Sequence, residues 1–277
     1  MSVCVIVVSY RTGPALGRCL AALAAVRGVD EIILVDNGNE AAEAAALSAF
    51  AAADPRARLV RGQGNVGFAA GCNLAARAAQ AEALLFLNPD AVLEAGAIEN
   101  LSRALAAAPP PAIVGGDLRD ADGRSERGSR RDRVTLWRAF VAFSGLSRLE
   151  HFSPAFRDFN RHADPVPSAP VAVQAVSGAL LMLRRADFEV LGGFDEGYFV
   201  HVEDLDLCRR AEQRGWPVIF APGPHGQHER STSAVESRFI AKHKARGMAR
   251  YLSKFANGPF ERAAAWLAGG FIMLVSR

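Results

Sequence analysis

Two acidic stretches of this sequence could hold a cation or accept a proton. Asp90 closes an Asn-Pro-Asp tripeptide that directly follows the apolar run 84–87, so a carboxylate is fixed at the end of a buried strand. Glu203 and Asp204 stand side by side before an amphipathic helix. Carboxylates bind Mg²⁺ and act as general bases. The alternatives are a plain turn at residues 88–90 and helix capping in the second stretch. Capping explains Asp206 well. It explains Glu203 and Asp204 less well, because adjacent carboxylates repel each other.

Composition indicates an ordinary globular protein. Half of the 277 residues are hydrophobic and 22% are charged, which is enough for a sizeable core in one domain, with or without an appendage. The net charge of +3 is too small to indicate a nucleic-acid partner.

Cysteine usage and the apolar runs predict a cytoplasmic protein. The four cysteines are far apart and lack C-x-x-C spacing, which is typical of buried thiols in a reducing compartment. Residues 1–11 show no basic leader and no cleavage site. The longest apolar run, 263–275, is shorter than the ~20 residues that a membrane span needs.

Apolar strands alternate with helical patterns through the first third of the chain. Continuous apolar runs predict strands, and leucines or alanines at helical spacing predict helices between them. The predicted strands are 3–9, 31–36, 58–61 and 83–87, and the predicted helices are 14–26, 40–53 and 68–80. Strands that are apolar throughout, without alternating polar residues, and that are separated by helices indicate an α/β fold with a mostly parallel sheet covered on both faces.

The carboxyl ends of these strands carry residues that could face one ligand. Parallel α/β sheets bind ligands outside the carboxyl ends of their strands, where this chain has Ser9, Asp36, the glycine-rich stretch 62–71 and Asp90. Backbone N–H groups of the glycine-rich stretch could approach a phosphate. The stretch lacks the lysine of a P-loop, however, and a turn that needs positive φ would use the same glycines.

The second half of the chain changes in character. Residues 117–135 are polar and rich in arginine, and 136–170 mix aromatic residues with prolines. This predicts loops with short helices that form a lid or shape an acceptor site. A strand pattern returns at 171–183, interrupted at Ser177 and Gly178. Residues 234–277 join a basic amphipathic helix to an apolar segment. We expect this tail either to contact an anionic membrane or to pack against the domain or in a homodimer interface.

Seven motifs in a fixed order resemble one enzyme family. They are VIVVSY, EIILVDNG, GNVGFAAGCN, LLFLNPDA, AVSGALLMLRR, GGFDEGYFVHVEDLDLCRR and HERSTS. Together they resemble the inverting family-two glycosyltransferases with the GT-A fold, a Rossmann-like fold of nucleotide-diphospho-sugar transferases. They are most similar to the bacterial rhamnosyltransferase-like branch, which works in cell-wall and polysaccharide biosynthesis.

The resemblance covers residues 3 to about 233 and implies a domain plan. A GT-A domain would span 1–233, and 234–277 would form a helical tail. Within the domain, the resemblance implies a nucleotide-sugar-binding half at 1–116, a loop-rich acceptor or lid insertion at 117–170, and an acceptor and catalytic-base half at 171–233.

The resemblance also implies a donor site. A nucleoside-diphosphate sugar would bind with a divalent cation, Mg²⁺ or Mn²⁺, that stabilises the leaving diphosphate. Asp90 would be the main protein ligand, because Asn88 stands where the commoner motif has an acid. His228 would complete the cation site, with His225 as a competitor. Asp36 would accept a hydrogen bond from uracil or thymine, unless it only makes a turn. The residues implied to bind the nucleotide sugar are Ser9, Asp36, Asn65, Gly67, Asn73, Asn88 and Asp90.

The chemistry implied by the resemblance needs a single base. Inversion at the anomeric carbon is one displacement, so one carboxylate suffices to take the acceptor proton. Asp204 matches the family's base, and Glu203 would orient the acceptor or tune its neighbour. The residues implied to bind the acceptor are Ser177, Gly178, Asp195 and Glu196. A solvated turn is the alternative for the last two.

The implied activity is transfer of a sugar, with rhamnose favoured, from a dTDP- or UDP-linked donor. The acceptor would be a hydroxyl of a glycan or of a polyprenyl-diphosphate-linked glycan, and the enzyme would act in the cytoplasm or at the inner face of the cell membrane. One alternative is a nucleotidyltransferase, which should carry a glycine-rich, lysine-bearing signature after the first strand. The other is an inactive sugar-nucleotide binder, against which Asp90 and Asp204 argue.

Overall fold

The computed structural model describes residues 1–229 and 236–276. The last four residues of the HERSTS motif and the predicted boundary between 233 and 234 lie outside the described residues. The helices are α1 (Pro14–Ala25), α2 (Ala41–Ala53), α3 (Phe68–Ala78), α4 (Ala97–Ala107), α5 (Leu136–Ser144), α6 (Arg185–Val190), α7 (Glu203–Gln213), α8 (Ser237–Lys254) and α9 (Gly258–Val275). The strands are β1 (Val3–Ser9), β2 (Glu31–Asp36), β3 (Ala57–Val60), β4 (Ala83–Leu87), β5 (Ala91–Leu93), β6 (Ile113–Arg119), β7 (Arg130–Arg131), β8 (Val171–Val173), β9 (Ala175–Val176), β10 (Leu180–Arg184) and β11 (Val218–His228).

Most of these strands form one sheet in the order β3-β2-β1-β4-β10-β6-β11-β5, and β8 pairs with β11. The strands β3, β2, β1 and β4 are parallel neighbours, as are β6 and β11. The strands β10, β5 and β8 pair antiparallel with their neighbours. A separate antiparallel pair joins β7 and β9. The predicted α/β class with a mostly parallel sheet is confirmed.

The central strand β1 shows why both faces of the sheet are covered. All seven of its residues are buried, and successive side chains of a strand point to opposite faces. Ile6 and Val8 enter one core with α3, α7 and α8, whereas Val5 and Val7 enter another with α1 and α4. Side chains on both faces thus hold the strand in place, so the strand ends form a rigid platform. The four cysteines are buried free thiols, as predicted.

The continuous apolar runs predict the first strands well. The expected strands 3–9, 31–36 and 83–87 coincide with β1, β2 and β4, and the expected first three helices end within two residues of α1, α2 and α3. The predicted strand 171–183 is divided into β8, β9 and β10. The sequence patterns do not predict β5, α4, β6 and β11. The strand β6 crosses residue 116, and the division of the domain at that residue stays a prediction.

A glycine in β6 lets the strand β9 pack closely against the sheet. A Cβ atom on Gly115 would lie 2.3 Å from Cβ of Val176, which no side chain can tolerate. The strand β9 therefore lies directly on β6. This contact positions the residues that follow β9, which belong to the candidate site described below.

The C-terminal helices pack on the domain and leave one apolar face outward. The helix α8 buries Met248, Tyr251 and Leu252, and α9 buries Ala265 and Ile272. The outward face of α9 carries exposed apolar side chains: Phe260, Trp266, Leu267, Leu274 and Val275. Within residues 1–229 and 236–276, we find no helix with the length and apolar character needed to span a membrane.

Candidate active site

Asp90 and His228 meet at the end of the sheet. The strand β5, which follows Asp90, pairs with β11 so that Ala91 lies opposite His228. Nε2 of His228 consequently lies 2.8 Å from Oδ1 of Asp90 and 3.2 Å from Nδ2 of Asn88. The N–H of Glu229 donates to the carbonyl oxygen of Asp90 at 2.9 Å and fixes this pairing. Three residues predicted for the donor site, Asn88, Asp90 and His228, therefore lie together, and we call this cluster the Asp90 corner.

The second ring nitrogen of His228 faces another carboxylate. Nδ1 of His228 lies 2.8 Å from Oε2 of Glu126. Burial by itself lowers the pKa of His228, but the carboxylates of Asp90 and Glu126 outweigh burial and raise this pKa to about 9. His225 lies in the core, where its Nδ1 accepts the N–H of Asp117 at 3.1 Å and burial lowers its pKa. Of the two candidate histidines, His228 is the one beside Asp90.

The Asp90 corner suits a hard divalent cation that binds mainly through substrate phosphates. Such a cation keeps one or two protein ligands and takes its others from phosphate and water. The ligand atoms of Asp90 and His228 converge on one point at the strand ends. Among the residues that the structure describes, no group of three or more His, Cys, Asp or Glu side chains is arranged to hold a metal ion alone. The corner therefore fits an ion that the donor diphosphate helps to hold, and does not fit a closed structural site.

Asp204 lies in the first turn of α7 and is buried against an arginine. Its Oδ2 accepts the N–H of Gly178 at 2.9 Å and a charged hydrogen bond from Nη2 of Arg131. Its Oδ1 accepts the N–H of Leu205 at 2.7 Å. Burial by itself raises the pKa of Asp204, but Arg131 and these N–H groups outweigh burial and hold the pKa below its ordinary value. Asp204 is therefore ionised at neutral pH.

Glu203 has the opposite electrostatic character. It is buried, and burial together with the negative charge of Asp204 raises its pKa. A raised pKa favours the protonated form, so the adjacent carboxyl groups avoid carrying two charges side by side. His201 and Val202, which lead into α7, have φ values of 65° and 76°. This backbone region is unfavourable for residues with side chains and is found at functional sites.

The Asp90 corner and Asp204 lie at the same end of the sheet. The strand β10 runs antiparallel beside β4, so the start of β10 adjoins the end of β4. The N–H of Asn88 donates to the carbonyl oxygen of Ala179 at 3.0 Å. The neighbouring Gly178 then donates its N–H to Asp204. Two hydrogen bonds and a few residues of backbone thus connect the two carboxylates.

Residues 126–131, which we call the crossing segment, run along both parts of the site. A Cβ atom on Gly128 would lie 3.7 Å from Oγ of Ser177, and that Oγ accepts the N–H of Ala179 at 3.2 Å. The crossing segment contacts the site through Glu126 to His228 and Arg131 to Asp204, and between them Gly128 passes close to Ser177. The predicted acceptor residues Ser177 and Gly178 thus lie between the Asp90 corner and Asp204.

The ends of β1 and β2 are joined by Asn39. Its Nδ2 donates to the carbonyl oxygen of Ser9 and to Oδ1 of Asp36, both at 2.9 Å. Ser9 is fully buried, and its hydroxyl contacts Asn39 and Thr12. Oδ1 of Asp36 also accepts the N–H of Gly38 at 3.1 Å, which makes the Asx turn that was the alternative role for Asp36. The structure gives both residues a local role, and nucleotide-base binding stays a prediction.

The glycine-rich loop lies against the segment that leads into α7. Gly67 has φ 87°, and a Cβ atom there would lie 2.6 Å from the carbonyl oxygen of Phe199. The N–H of Phe68 donates to that oxygen at 2.7 Å. Oδ1 of Asn65 accepts the N–H of Gly67 and Nδ2 of Asn37, both at 3.1 Å. Close approach and positive φ both require glycine at position 67, and diphosphate binding by this loop stays a prediction.

Asn73 holds the turn that contains the predicted acceptor residues Asp195 and Glu196. Its Nδ2 donates to the carbonyl oxygen of Phe194 and to Oε1 of Glu196, both at 2.9 Å, and its Oδ1 accepts the N–H of Phe194 at 2.9 Å. Asn73, Asp195 and Glu196 line an open cavity of about 490 Å³, whose lining does not include Asp90. Asn73 therefore lies with the predicted acceptor residues and apart from the Asp90 corner.

Asp195 connects this turn to α8. Its carboxylate accepts hydrogen bonds from Arg250 at 3.0 Å and from Lys254 at 2.7 Å. Lys254 also donates to the fully buried Asp206 at 2.6 Å. Burial by itself raises the pKa of Asp195, but these contacts outweigh burial and lower the pKa to about 2. The charged contacts thus attach α8 to the turn at 193–196 and to α7.

The family model described as Glycosyl transferase family 2 matches residues 4–170 of this chain. The chain belongs to glycosyl transferase family 2. It is 28% identical over 290 residues to the N-acetylglucosaminyl-diphospho-decaprenol L-rhamnosyltransferase of Mycobacterium tuberculosis, which covers 98% of this chain and 91% of that protein. It is 38% identical to rhamnosyltransferase WbbL of Escherichia coli over 52 residues, 19% of this chain and 20% of that protein.

Solved structures of other glycosyltransferases share the fold of this family-2 enzyme. The mannosyltransferase PcManGT of Pyrobaculum calidifontis, in complex with GDP-Man and Mn²⁺, superposes with a TM-score of 0.61 at 19% identity, covering 99% of this chain and 72% of that chain. Residues 1–349 of S. aureus TarS, in complex with UDP-GlcNAc, give a TM-score of 0.60 at 14% identity over 98% of this chain and 73% of that chain. The predicted family and the GT-A fold are confirmed. The chain is a glycosyltransferase that takes its sugar from a nucleotide donor.

Sequence patterns do not single out three residues that contact the predicted site residues. Glu126 and Arg131 lie in the polar stretch 117–135, where charged residues are frequent and no spacing marks which of them become buried. Asn39 has a weak signal, because it is the second asparagine within three residues of the end of β2. Its bridging position between two strand ends depends on the parallel pairing of β1 with β2.

Proposed function

We propose that this glycosyltransferase inverts the anomeric carbon of its donor, with Asp204 as general base and with Asp90 and His228 as protein ligands of a divalent cation. The observation that carries the proposal is the position of both carboxylates at one end of the sheet, linked through Asn88, Ala179 and Gly178. A single in-line displacement needs a base on one side of the sugar and charge neutralisation on the other.

The Asp90 corner is proposed to bind the diphosphate end of the donor. Asp90 and His228 would hold Mg²⁺ or Mn²⁺ there, and the cation would supply positive charge to stabilise the departing diphosphate. Asp90 and His228 orient one another through the 2.8 Å contact and present oxygen and nitrogen ligands at the same point. Asn88 adds an amide group beside them without a second negative charge, which leaves Asp90 as the acidic ligand of its motif.

Asp204 is proposed to accept the proton of the acceptor hydroxyl. As the acceptor oxygen forms its bond to the anomeric carbon, the bond from that carbon to the diphosphate oxygen breaks, and the hydroxyl proton moves to Asp204. Arg131 keeps Asp204 ionised before the reaction. A base of low pKa takes the proton late, when attack has already made the hydroxyl acidic. Glu203, whose raised pKa favours the protonated form, adds no opposing charge.

We propose a lipid-linked glycan as acceptor and dTDP-rhamnose as the favoured donor, with UDP-sugars next. Support comes from the likeness, over nearly the whole chain, to a rhamnosyltransferase whose name specifies a decaprenol-linked acceptor. Release of nucleoside diphosphate from each donor, in the presence of a polyprenyl-diphosphate-linked N-acetylglucosamine, tests the pair directly. Release of pyrophosphate instead would show nucleotidyl transfer, and absence of turnover with every donor would contradict the proposed substrates.

Site variants test the proposed roles. Asp204→Asn should keep donor binding and lower turnover by about 10²–10⁴-fold, the usual contribution of a general base. Asp90→Ala should remove the dependence of donor binding on Mn²⁺, measured by thermal shift with UDP and dTDP. NMR of the product should show inversion at the anomeric carbon. Retention, or full turnover by Asp204→Asn, would overturn the proposed mechanism.

We also propose that α9 contacts the anionic membrane that carries the acceptor. The outward face of α9 presents Trp266, Leu267 and Leu274 to solvent, and the neighbouring helix α8 has the exposed basic residues Lys242 and Arg246. Apolar side chains beside basic ones are typical of helices that lie in a membrane interface. The inward face of α9 packs on the protein, so the outward face could contact a membrane without displacing the helix. A homodimer through the same face is the alternative.

Vesicle flotation distinguishes membrane contact from dimer formation. Wild-type protein should float with vesicles that contain phosphatidylglycerol, and the double variant Trp266→Ser and Leu267→Ser should float less. Val190→Ser is the matched control, because Val190 is also an exposed apolar residue but lies on α6. The membrane proposal would be contradicted if the α9 double variant floated as well as Val190→Ser. It would also be contradicted if the wild type and Val190→Ser formed a concentration-dependent dimer and the α9 double variant did not.

A further inference from the structure

Glu126 lies behind His228, on the side of the ring that faces away from Asp90. Oε2 of Glu126 is 2.8 Å from Nδ1 of His228, and Oδ1 of Asp90 is 2.8 Å from Nε2. Glu126 is only 7% exposed. Each ring nitrogen of His228 therefore lies within ion-pair distance of a carboxylate, and the two carboxylates come from different parts of the chain.

The backbone around Glu126 is fixed to the central sheet. The N–H of Glu126 donates to the carbonyl oxygen of Leu118 in β6 at 2.8 Å, and the carbonyl oxygen of Glu126 accepts the N–H of Ser129 at 3.0 Å. The hydroxyl of the preceding Ser125 donates to the buried carboxylate of Asp117 at 2.5 Å. These bonds fix the backbone from which the Glu126 side chain extends to His228.

A neutral imidazole carries one proton, and the atom that holds it decides which nitrogen can donate a lone pair to a cation. A carboxylate at one ring nitrogen favours the proton there and frees the other nitrogen as a ligand. Both ring nitrogens of His228 face a carboxylate, so the ring favours both protons when no cation is bound. A cation between His228 and Asp90 would replace the proton on Nε2, and Glu126 would keep the remaining proton on Nδ1 and so leave the Nε2 lone pair as the ligand.

We infer that Glu126 is a positioning residue that fixes the ring orientation and the tautomer of His228 for divalent-cation binding. The inference rests on the proposed function, in which Asp90 and His228 hold the cation. It extends that proposal to the crossing segment, which the sequence motifs leave without a role. Glu126 itself contacts neither donor nor acceptor in this assignment.

The first test measures Mn²⁺ affinity of the full-length protein in the presence of UDP, from the EPR signal of free Mn²⁺. Glu126→Ala should weaken Mn²⁺ binding by about 10–100-fold, the usual effect of removing the partner of a ligating histidine. Glu126→Gln should lose less, because its amide oxygen still accepts the Nδ1 proton. Asp122→Ala is the matched control, since Asp122 is a mostly exposed acid in the same loop, and it should bind Mn²⁺ like wild type.

The second test reads the tautomer itself. In ¹⁵N spectra of histidine-labelled protein with Mg²⁺ and UDP, the wild-type His228 ring should be in the Nδ1–H form, and Glu126→Ala should give a mixture. The His228→Asn variant identifies the signals. If Glu126 only stabilised the loop, Glu126→Ala would leave the tautomer of His228 unchanged. The Mn²⁺ affinities of wild type, Glu126→Gln and Glu126→Ala would then not fall in that order.

The outcomes separate this inference from the proposed function. If Asp90→Ala binds Mn²⁺ as wild type does, the cation site itself is wrongly placed. If Asp90→Ala loses affinity while Glu126→Ala, folded by circular dichroism, stays within about threefold of wild type, the cation site stands and the role of Glu126 is overturned.

Discussion

Replacement of Arg131 by methionine is the sharpest test of the electrostatics of the site. Methionine keeps the length of the arginine stem but removes the guanidinium group. Arg131 and Asp204 are 8% and 7% exposed, so water does not replace the lost partner. Asp204 would keep the N–H groups of Gly178 and Leu205 as its remaining donors.

The expected loss can be worked from these contacts. Removing one partner of a buried ion pair costs about 3–5 kcal/mol, because the other charge stays buried without its counter-charge. Hydrogen bonds to a charged group contribute about 1.5–3 kcal/mol each, and two of them remain on Asp204. We therefore expect the lower end of the range, about 3 kcal/mol in the free energy of unfolding near neutral pH.

The loss should depend on pH in a defined direction. In wild type the pKa of Asp204 lies below its unfolded value of 3.8, so the pair stabilises the fold above that pH and this contribution is lost as the pH falls through the folded pKa. Without Arg131, burial raises the pKa of Asp204, and protonation then limits the cost in acid. The difference between wild type and Arg131→Met should therefore be smaller at about pH 5 than at about pH 8.

Equilibrium urea unfolding of four proteins measures this coupling: wild type, Arg131→Met, Asp204→Asn and the double variant. The double variant should be less destabilised than the sum of the two single changes, because the uncompensated charge is gone. Arg124→Met is the matched control, since Arg124 is largely exposed and its ion pair with Asp122 is weak. A cost below about 1 kcal/mol for Arg131→Met, or strict additivity, would refute the buried ion pair.

Three further changes test the fold, the tail and the acidic pair. Gly115→Ala should lower the free energy of unfolding by about 2–3 kcal/mol, measured in urea, because the new methyl group collides with Val176. Lys254→Met should cost about 1–2 kcal/mol and speed proteolysis within α8 and α9, because Asp195 loses a charged partner. Glu203→Gln should gain stability over wild type as pH rises above about 5, because the folded pKa of Glu203 exceeds its unfolded value of 4.5 and ionisation of the buried acid opposes folding.

Each of these changes has a control and an opposing outcome. Gly17→Ala, in a part of α1 with open space around the new methyl group, should not destabilise, and equal stability of Gly115→Ala would refute the close contact. Lys242→Met removes an exposed lysine of α8 and should leave proteolysis unchanged. Parallel stability profiles of wild type and Glu203→Gln between about pH 5 and 8 would show that Glu203 is not held protonated.

The sequence predicts the parallel half of the sheet because its strands are continuous apolar runs buried on both faces. The strands β1, β2 and β4 have this pattern, and their limits follow from it. The strand β6 contains two glycines and an aspartate, and β11 contains two prolines and two glycines, so neither has the composition of a strand. Their place in the sheet comes from pairing with strands that are distant in sequence.

The motif residues Asp90, His228 and Asp204 could be named as site candidates from the sequence, because chemistry restricts the residue types at such positions. Their partners could not, because burial of a charge depends on where a loop lies in space. Glu126 and Arg131 look like ordinary surface charges in a polar stretch, yet both are buried. Asn73 differs from its sequence-based prediction in the opposite way. Its motif predicts a place in the donor site, but its side chain bonds to the turn at 193–196.

The crossing segment has a consequence for how this enzyme can change during evolution. It contacts the Asp90 corner at one end, through Glu126, and the proposed general base Asp204 at the other, through Arg131. An insertion or deletion between them would displace both contacts at once, whereas length changes in the preceding loop around Asp122 would disturb neither. Related enzymes that adapt to new sugars or new alcohols should therefore vary in loop length before residue 126 and keep the spacing from 126 to 131 unchanged.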